Sequence, residues 1–188
     1  MAVMSDEAAR AARAGEAIAA HRAELREVLD HWARVLAVAV DRGDPVRPVR
    51  NLLRAFLADE VLPHARAQER TLYRAARRDP SVSALVQELI SDHRALAARA
   101  ATLSEPASPA AVAAEAAAIS ALLARHMDRE DSLLLPALER SGADLAALLA
   151  REPRLAGDRI AGWLRGGSAR CLYYVPGVKV CGGGCVLH

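Results

Sequence analysis

Apolar positions recur at helical spacing along most of the chain, and turn signals cut them into four long runs. In the first, about residues 5 to 40, Ile18, Leu25, Val28, Trp32 and Leu36 share one face, with His21 set among them. Arg42-Gly43-Asp44-Pro45 ends that run. Asp44 as N-cap and Pro45 at the first helical position predict a second helix through Leu53 and Leu57 to about residue 76. Pro63 lies inside it without a backbone donor, so a kink just before His64 is expected. Asp79-Pro80 opens a third helix, whose row Val82, Val86, Leu89, Ile90 leads to His93 and Leu96. Ser108-Pro109 opens a fourth, with an inward row of Ile119, Leu122, Leu123, His126, Glu130, Leu133 and Leu134, ending between Pro136 and Gly142. A shorter helix is expected over residues 144 to 164. Two short extended runs about a Pro176-Gly177 turn are expected within residues 172 to 180.

Composition narrows the fold class. Hydrophobic residues make up 53% of the 188 residues and aromatics only 3%, which suits thin helices packed through Ala and Leu better than a sheet. The expectation is an all-α bundle of four helices over residues 1–141, followed by a short extra helix and a Cys/Gly-rich tail over residues 142–188. The formal net charge is only +2, Lys179 is the one lysine, and the arginines are interspersed with acids. Such charges form a solvated face, and no stripe suggests nucleic acid. Residues 1 to 13 are charged and lack the apolar core of a secretory signal, and no apolar run approaches bilayer length; a soluble, cytoplasmic protein without a membrane partner is expected. In that compartment the three cysteines start as thiols.

The candidate chemistry lies in the histidines. His21, His64, His93 and His126 fall one to each run, each with apolar neighbours three and four residues away, so all four should point inward. Buried imidazoles need partners, and buried carboxylates need a cation. The second and fourth histidines have acids about one turn downstream, in His64-Ala-Arg-Ala-Gln-Glu69 and His126-Met-Asp-Arg-Glu130-Asp131. Ligands for metal ions in a bundle come from the inward faces of different helices, which is the layout seen here.

Leu62-Pro63-His64-Ala-Arg-Ala-Gln-Glu69-Arg-Thr-Leu-Tyr73, Asp92-His93-Arg-Ala-Leu96 and His126-Met-Asp-Arg-Glu130-Asp131-Ser-Leu-Leu-Leu-Pro136 resemble the hemerythrin-like (HHE cation-binding) family over about residues 15 to 140. The resemblance implies an up-and-down four-helix bundle holding two non-haem iron ions bridged by two carboxylates. His21, His64, His93 and His126 would be terminal ligands and Glu130 one bridge. For the other bridge, many family members have a carboxylate four residues after the second-helix histidine, where Gln68 stands here; Glu69 is the choice, with Glu60 the fallback. The oxygen-carrying members have a fifth histidine four residues from the third-helix ligand, where this chain has Leu89 and Ala97. Its lack leaves an extra coordination position and favours turnover over carriage. His31, ten residues from His21, turns away from it and reads as a flank residue, with Tyr73 a further oxygen candidate. The resemblance implies binding of O2, NO or peroxide, with a diiron oxidase, oxygenase or peroxidase, or a redox or iron sensor, as alternatives.

The last eighteen residues carry Cys171, Cys181, Cys185 and His188, with three glycines between two of the cysteines. Three thiolates and an imidazole form a chemically complete zinc set, but the spacing is not a common zinc-finger one; a flexible tail with incidental thiols is the first reading, ahead of a metal site and of a redox pair or sensor.

Overall fold

The computed structural model describes residues 2–104 and 108–157. All regular structure among them is helical, and four helical runs follow one another. Helix α1 spans Ala2–Arg42. The second run comprises α2 (Arg47–Phe56), α3 (Leu62–Arg70) and α4 (Leu72–Ala76). The third is α5 (Ser83–Thr102), and the fourth comprises α6 (Pro109–Arg129) and α7 (Leu135–Arg140); α8 (Leu145–Arg151) follows. Contacts join α1 to α2, α3 to α5, α5 to α6 and α6 back to α1, which closes the four runs into a bundle.

Helix ends follow local chemistry. Gly43 ends α1 with φ +70, while Asp44 N–H donates to Ala39 C=O and Gly43 N–H to Val40 C=O, a pattern that needs a left-handed residue and so favours glycine. Ser108 caps α6 by accepting from Ala111 N–H, and Asp79 accepts from Ser81 N–H ahead of α5. The start of α2 differs from expectation: it begins at Arg47, not Pro45, because Pro48 occupies its first turn.

The kink expected at Pro63 takes the form of a π turn over Leu57–Val61, and a second π turn covers Glu130–Leu134, also two residues before a proline. Pro63 and Pro136 cannot donate to the carbonyls four residues back; the ladder instead closes through Leu62 N–H to Leu57 C=O and Leu135 N–H to Glu130 C=O. The extra residue shifts the register. Leu133, expected inward, is half-exposed, while Leu134, Leu135 and Leu138 are buried. The short C-terminal helix also departs from expectation: it stops at Arg151, because Glu152 precedes Pro153 and adopts φ −139, ψ 79. A 3₁₀ turn over Pro153–Leu155 then packs on α3, and α8 packs on α1. Residues 158–188, with the expected extended runs, lie outside the described residues.

The fourth run, Pro109–Arg140, corrects one sequence expectation, since it is long and apolar enough to cross a bilayer by length and composition alone. Its alanines supply that apolarity, and its inner face packs in the bundle and carries the buried His126 and Glu130. The core falls into two apolar clusters. One gathers Leu25, Leu29, Leu53, Phe56, Leu96, Ile119 and Leu123; the other gathers Ile18, Leu72, Val86, Leu89, Leu134 and Leu138. Between them lies a layer of buried polar side chains: His21, Arg22, His64, Gln68, His93, His126 and Glu130.

Candidate metal centre

All four sequence-identified histidines reach this layer and form two pairs. His21 and His64 meet edge to face with ring centroids 4.9 Å apart; His93 and His126 have centroids 4.6 Å apart. Glu130 lies one turn below His126 on the same face, fully buried, with Oε2 3.6 Å from His126 Nε2.

Three of the imidazoles are held by their outer nitrogen. His64 Nδ1 lies 3.2 Å from Arg154 C=O, His93 Nδ1 2.8 Å from Glu69 Oε1, and His126 Nδ1 3.4 Å from Asp92 Oδ2. Carbonyl and carboxylate oxygens only accept, so Nδ1 donates in each ring and Nε2 is the nitrogen turned inward. Arg129 in turn holds Asp92 and reaches Glu88 at 3.0 Å.

The inward nitrogens are short of donors. His64 Nε2 is buried with no hydrogen-bond partner among the described residues; His21 Nδ1, which faces Gly157, also has none. His93 Nε2 and His126 Nε2 face each other at 3.1 Å, with Tyr73 OH 3.3 and 3.2 Å away. Tyr73 OH donates to Glu130 Oε1 at 2.7 Å, so the phenol proton goes to neither imidazole. A cation held by both Nε2 atoms would satisfy them together.

Electrostatics keeps these nitrogens available. Burial, reinforced by the Arg22 charge, lowers His21 to about 4. Burial and the neighbouring His21 lower His64 to about 3, and burial followed by the His126 charge lowers His93. Tyr73 is pushed up by burial and then by the Glu130 charge, so it stays a phenol. Burial alone would favour the neutral acid at Glu130. The His126 and Arg22 charges and the Tyr73 hydrogen bond outweigh it and hold the carboxyl below its usual range.

The inward residue one turn after His64 is not the one chosen from the sequence. Helix α3 is regular from Leu62 to Arg70, so a four-residue step from His64 stays within about 40° of it and a five-residue step turns about 140° away. Gln68 is therefore the inward residue, buried and donating from Nε2 to Glu130 Oε2 at 2.8 Å. Glu69 lies on the outer side of His93 with 37% of its side chain exposed. Glu60 sits half-buried in the first π turn. His31 stays on the flank with its ring against Trp32, centroids 5.0 Å apart. Cys171, Cys181, Cys185 and His188 lie outside the described residues.

Sequence reasoning missed Arg22. It is only 1% exposed; NH1 lies 3.4 Å from Glu130 Oε2, and NH2 pairs with Asp131. The signal was present, since Ile18, Leu25 and Leu29 stand four before, three after and seven after it. No three His, Cys, Asp or Glu side chains among the described residues stand together as metal ligands in their present positions. The Glu130 oxygens are taken by Tyr73, Gln68 and Arg22, bonds that metal binding must replace. The donor set nonetheless fits a transition-metal cation: inward imidazole nitrogens, three of the four rings oriented from outside, beside one buried carboxylate.

Residues 14–138 match the family model described as the hemerythrin HHE cation binding domain. The chain belongs to this family. No curated protein and no solved structure matches it. Membership in the HHE family assigns cation binding, with iron the metal it points to, and it agrees with a helical bundle whose polar layer is lined by one histidine from each run.

Proposed function

We propose that this chain is a non-haem iron protein that binds O2 or a related small ligand such as NO or peroxide in the polar layer of the bundle. The observation that carries the reading is the facing pair of Nε2 atoms on His93 and His126, 3.1 Å apart in the buried layer beside Glu130. The two histidine pairs offer two places for iron, with Glu130 as the carboxylate available to both. Iron, when bound, supplies electrons and open coordination positions for a small ligand. The protein's own residues orient the imidazoles through Arg154 C=O, Glu69 and Asp92, keep a neutral phenol proton at Tyr73, and exclude bulk water with the two apolar clusters.

A catalytic role as an oxidase or peroxidase is the second reading, and the buried Leu89 favours it. The position four residues before His93 is apolar and fully buried, so no fifth imidazole enters from α5. The experiment is metal analysis of protein expressed with iron, with optical spectra before and after anaerobic reduction and O2 exposure, for the whole chain and for a chain ending at Gly166. Equal iron and equal spectra in the two support the bundle site; loss of both on truncation shifts the metal to the cysteines.

A further inference from the structure

The bundle's two halves contribute unequally to the polar layer. From α5, α6 and the π turn that continues α6 come two imidazoles and a carboxylate: His93, His126 and Glu130. From α1 and α3 come two imidazoles, an amide and a guanidinium: His21, His64, Gln68 and Arg22. Glu130 is the one buried carboxylate among the described residues, and both Gln68 and Arg22 direct their N–H groups to its Oε2. A neutral amide thus fills the inward position one turn after His64, and a fixed positive charge adjoins His21 in the chain.

We propose that Gln68 and Arg22 make the centre load unequally: one metal ion binds tightly at His93, His126 and Glu130, and the Arg22 guanidinium supplies the positive charge that a second ion would otherwise bring. Two metal cations beside a buried guanidinium would face each other across a single carboxylate, and burial makes uncompensated charge costly. One cation with Glu130 leaves the layer close to balance, because Arg22 also has Asp131, half-exposed at the edge, as a partner. A carboxylate at position 68 would restore the missing negative charge on the α3 side. This inference rests on the iron-binding reading, and it concerns the number and strength of ions held rather than their presence.

The test is an anaerobic titration of the metal-free, full-length protein with Fe(II), and separately with Co(II), with Cys171, Cys181 and Cys185 replaced by Ser in every sample so that tail thiolates add no equivalent. The expected result is one tight equivalent and a second weaker by tenfold or more, with Gln68→Glu tightening the second by at least tenfold. Arg22→Gln, which removes the charge without adding an ion pair, gives the same readout if circular dichroism shows that the acidic substitution unfolds the bundle. Two equivalents bound within tenfold of each other, or a folded Gln68→Glu whose second equivalent is no tighter, overturns the inference and leaves the iron reading standing. Uptake of no metal overturns both.

Discussion

Gly157 is packed so closely on the imidazole of His21 that a methyl group at that position would overlap the ring, and its φ of +59 disfavours any side chain. The segment after α8 therefore closes the His21–His64 end of the polar layer, with Arg154 C=O on His64 and the buried Leu155 as its anchor.

Gly157→Ala must displace either the segment or His21. It should lower stability by about 1–3 kcal/mol and weaken metal retention by the His21–His64 pair. Urea unfolding and dialysis against a chelator check both effects. Wild-type stability and retention would show that the segment does not hold the histidine in place.

The lowered histidines predict acid sensitivity of the metal-free protein. His21 and His64 titrate at about 4 and about 3 in the folded chain but near 6.5 once unfolded. Above 6.5 both states hold them neutral, and their contribution is fully present. As pH falls below 6.5 the unfolded chain takes up protons that the folded one refuses, so stability drops toward 4 and then 3. Urea midpoints measured at several pH values between about 7.5 and 4.5 should fall steadily with acid. A midpoint unchanged between pH 7 and 5 contradicts the burial of these rings.

Glu69 and Glu130 should separate cleanly by mutation. Glu69 acts by orienting His93, so Glu69→Ala should reduce metal affinity about 10–100-fold, whereas Glu130→Ala should remove tight binding. His31→Ala should leave binding intact. Equal losses in the two glutamate variants would mean that Glu69 enters the centre as a ligand.

Much of this layer was readable from periodicity, because His21, His64, His93, His126 and Glu130 share faces with Ile18, Leu96, Leu123 and their neighbours. The Gln68 and Glu69 positions required the local helix to be known: a π turn between His64 and Glu69 would have brought Glu69 inward, but the π turn ends at Val61, before His64. Tyr73 was harder still. Its place depends on a break at Thr71, where φ −118 and ψ −81 separate α3 from α4 and the Thr71 hydroxyl bonds to Ala67 C=O. Backbone departures of that kind leave the apolar pattern unchanged. The strap at Pro153–Gly157 falls beyond the four periodic runs, and its contacts with His21 and His64 have no sequence period.

The fifth-histidine position can now be assigned. Of the two residues a turn from His93, Leu89 is buried and Ala97 is exposed. Leu89→His should therefore slow reoxidation of the reduced protein by O2, and Ala97→His should leave the rate near wild type. Stopped-flow mixing with O2 checks this. Equal rates in all three proteins would show that no position opens toward α5.

The central claim is that the histidines of the bundle, with Glu130, hold the iron. Crystals of the iron-loaded, full-length protein, measured on both sides of the iron absorption edge, locate the metal directly. An anomalous peak is expected in the polar layer at ligand distance from the Nε2 atoms of His93 and His126 and from Glu130. A peak only among Cys171, Cys181 and Cys185, or iron bound outside the bundle, would contradict it.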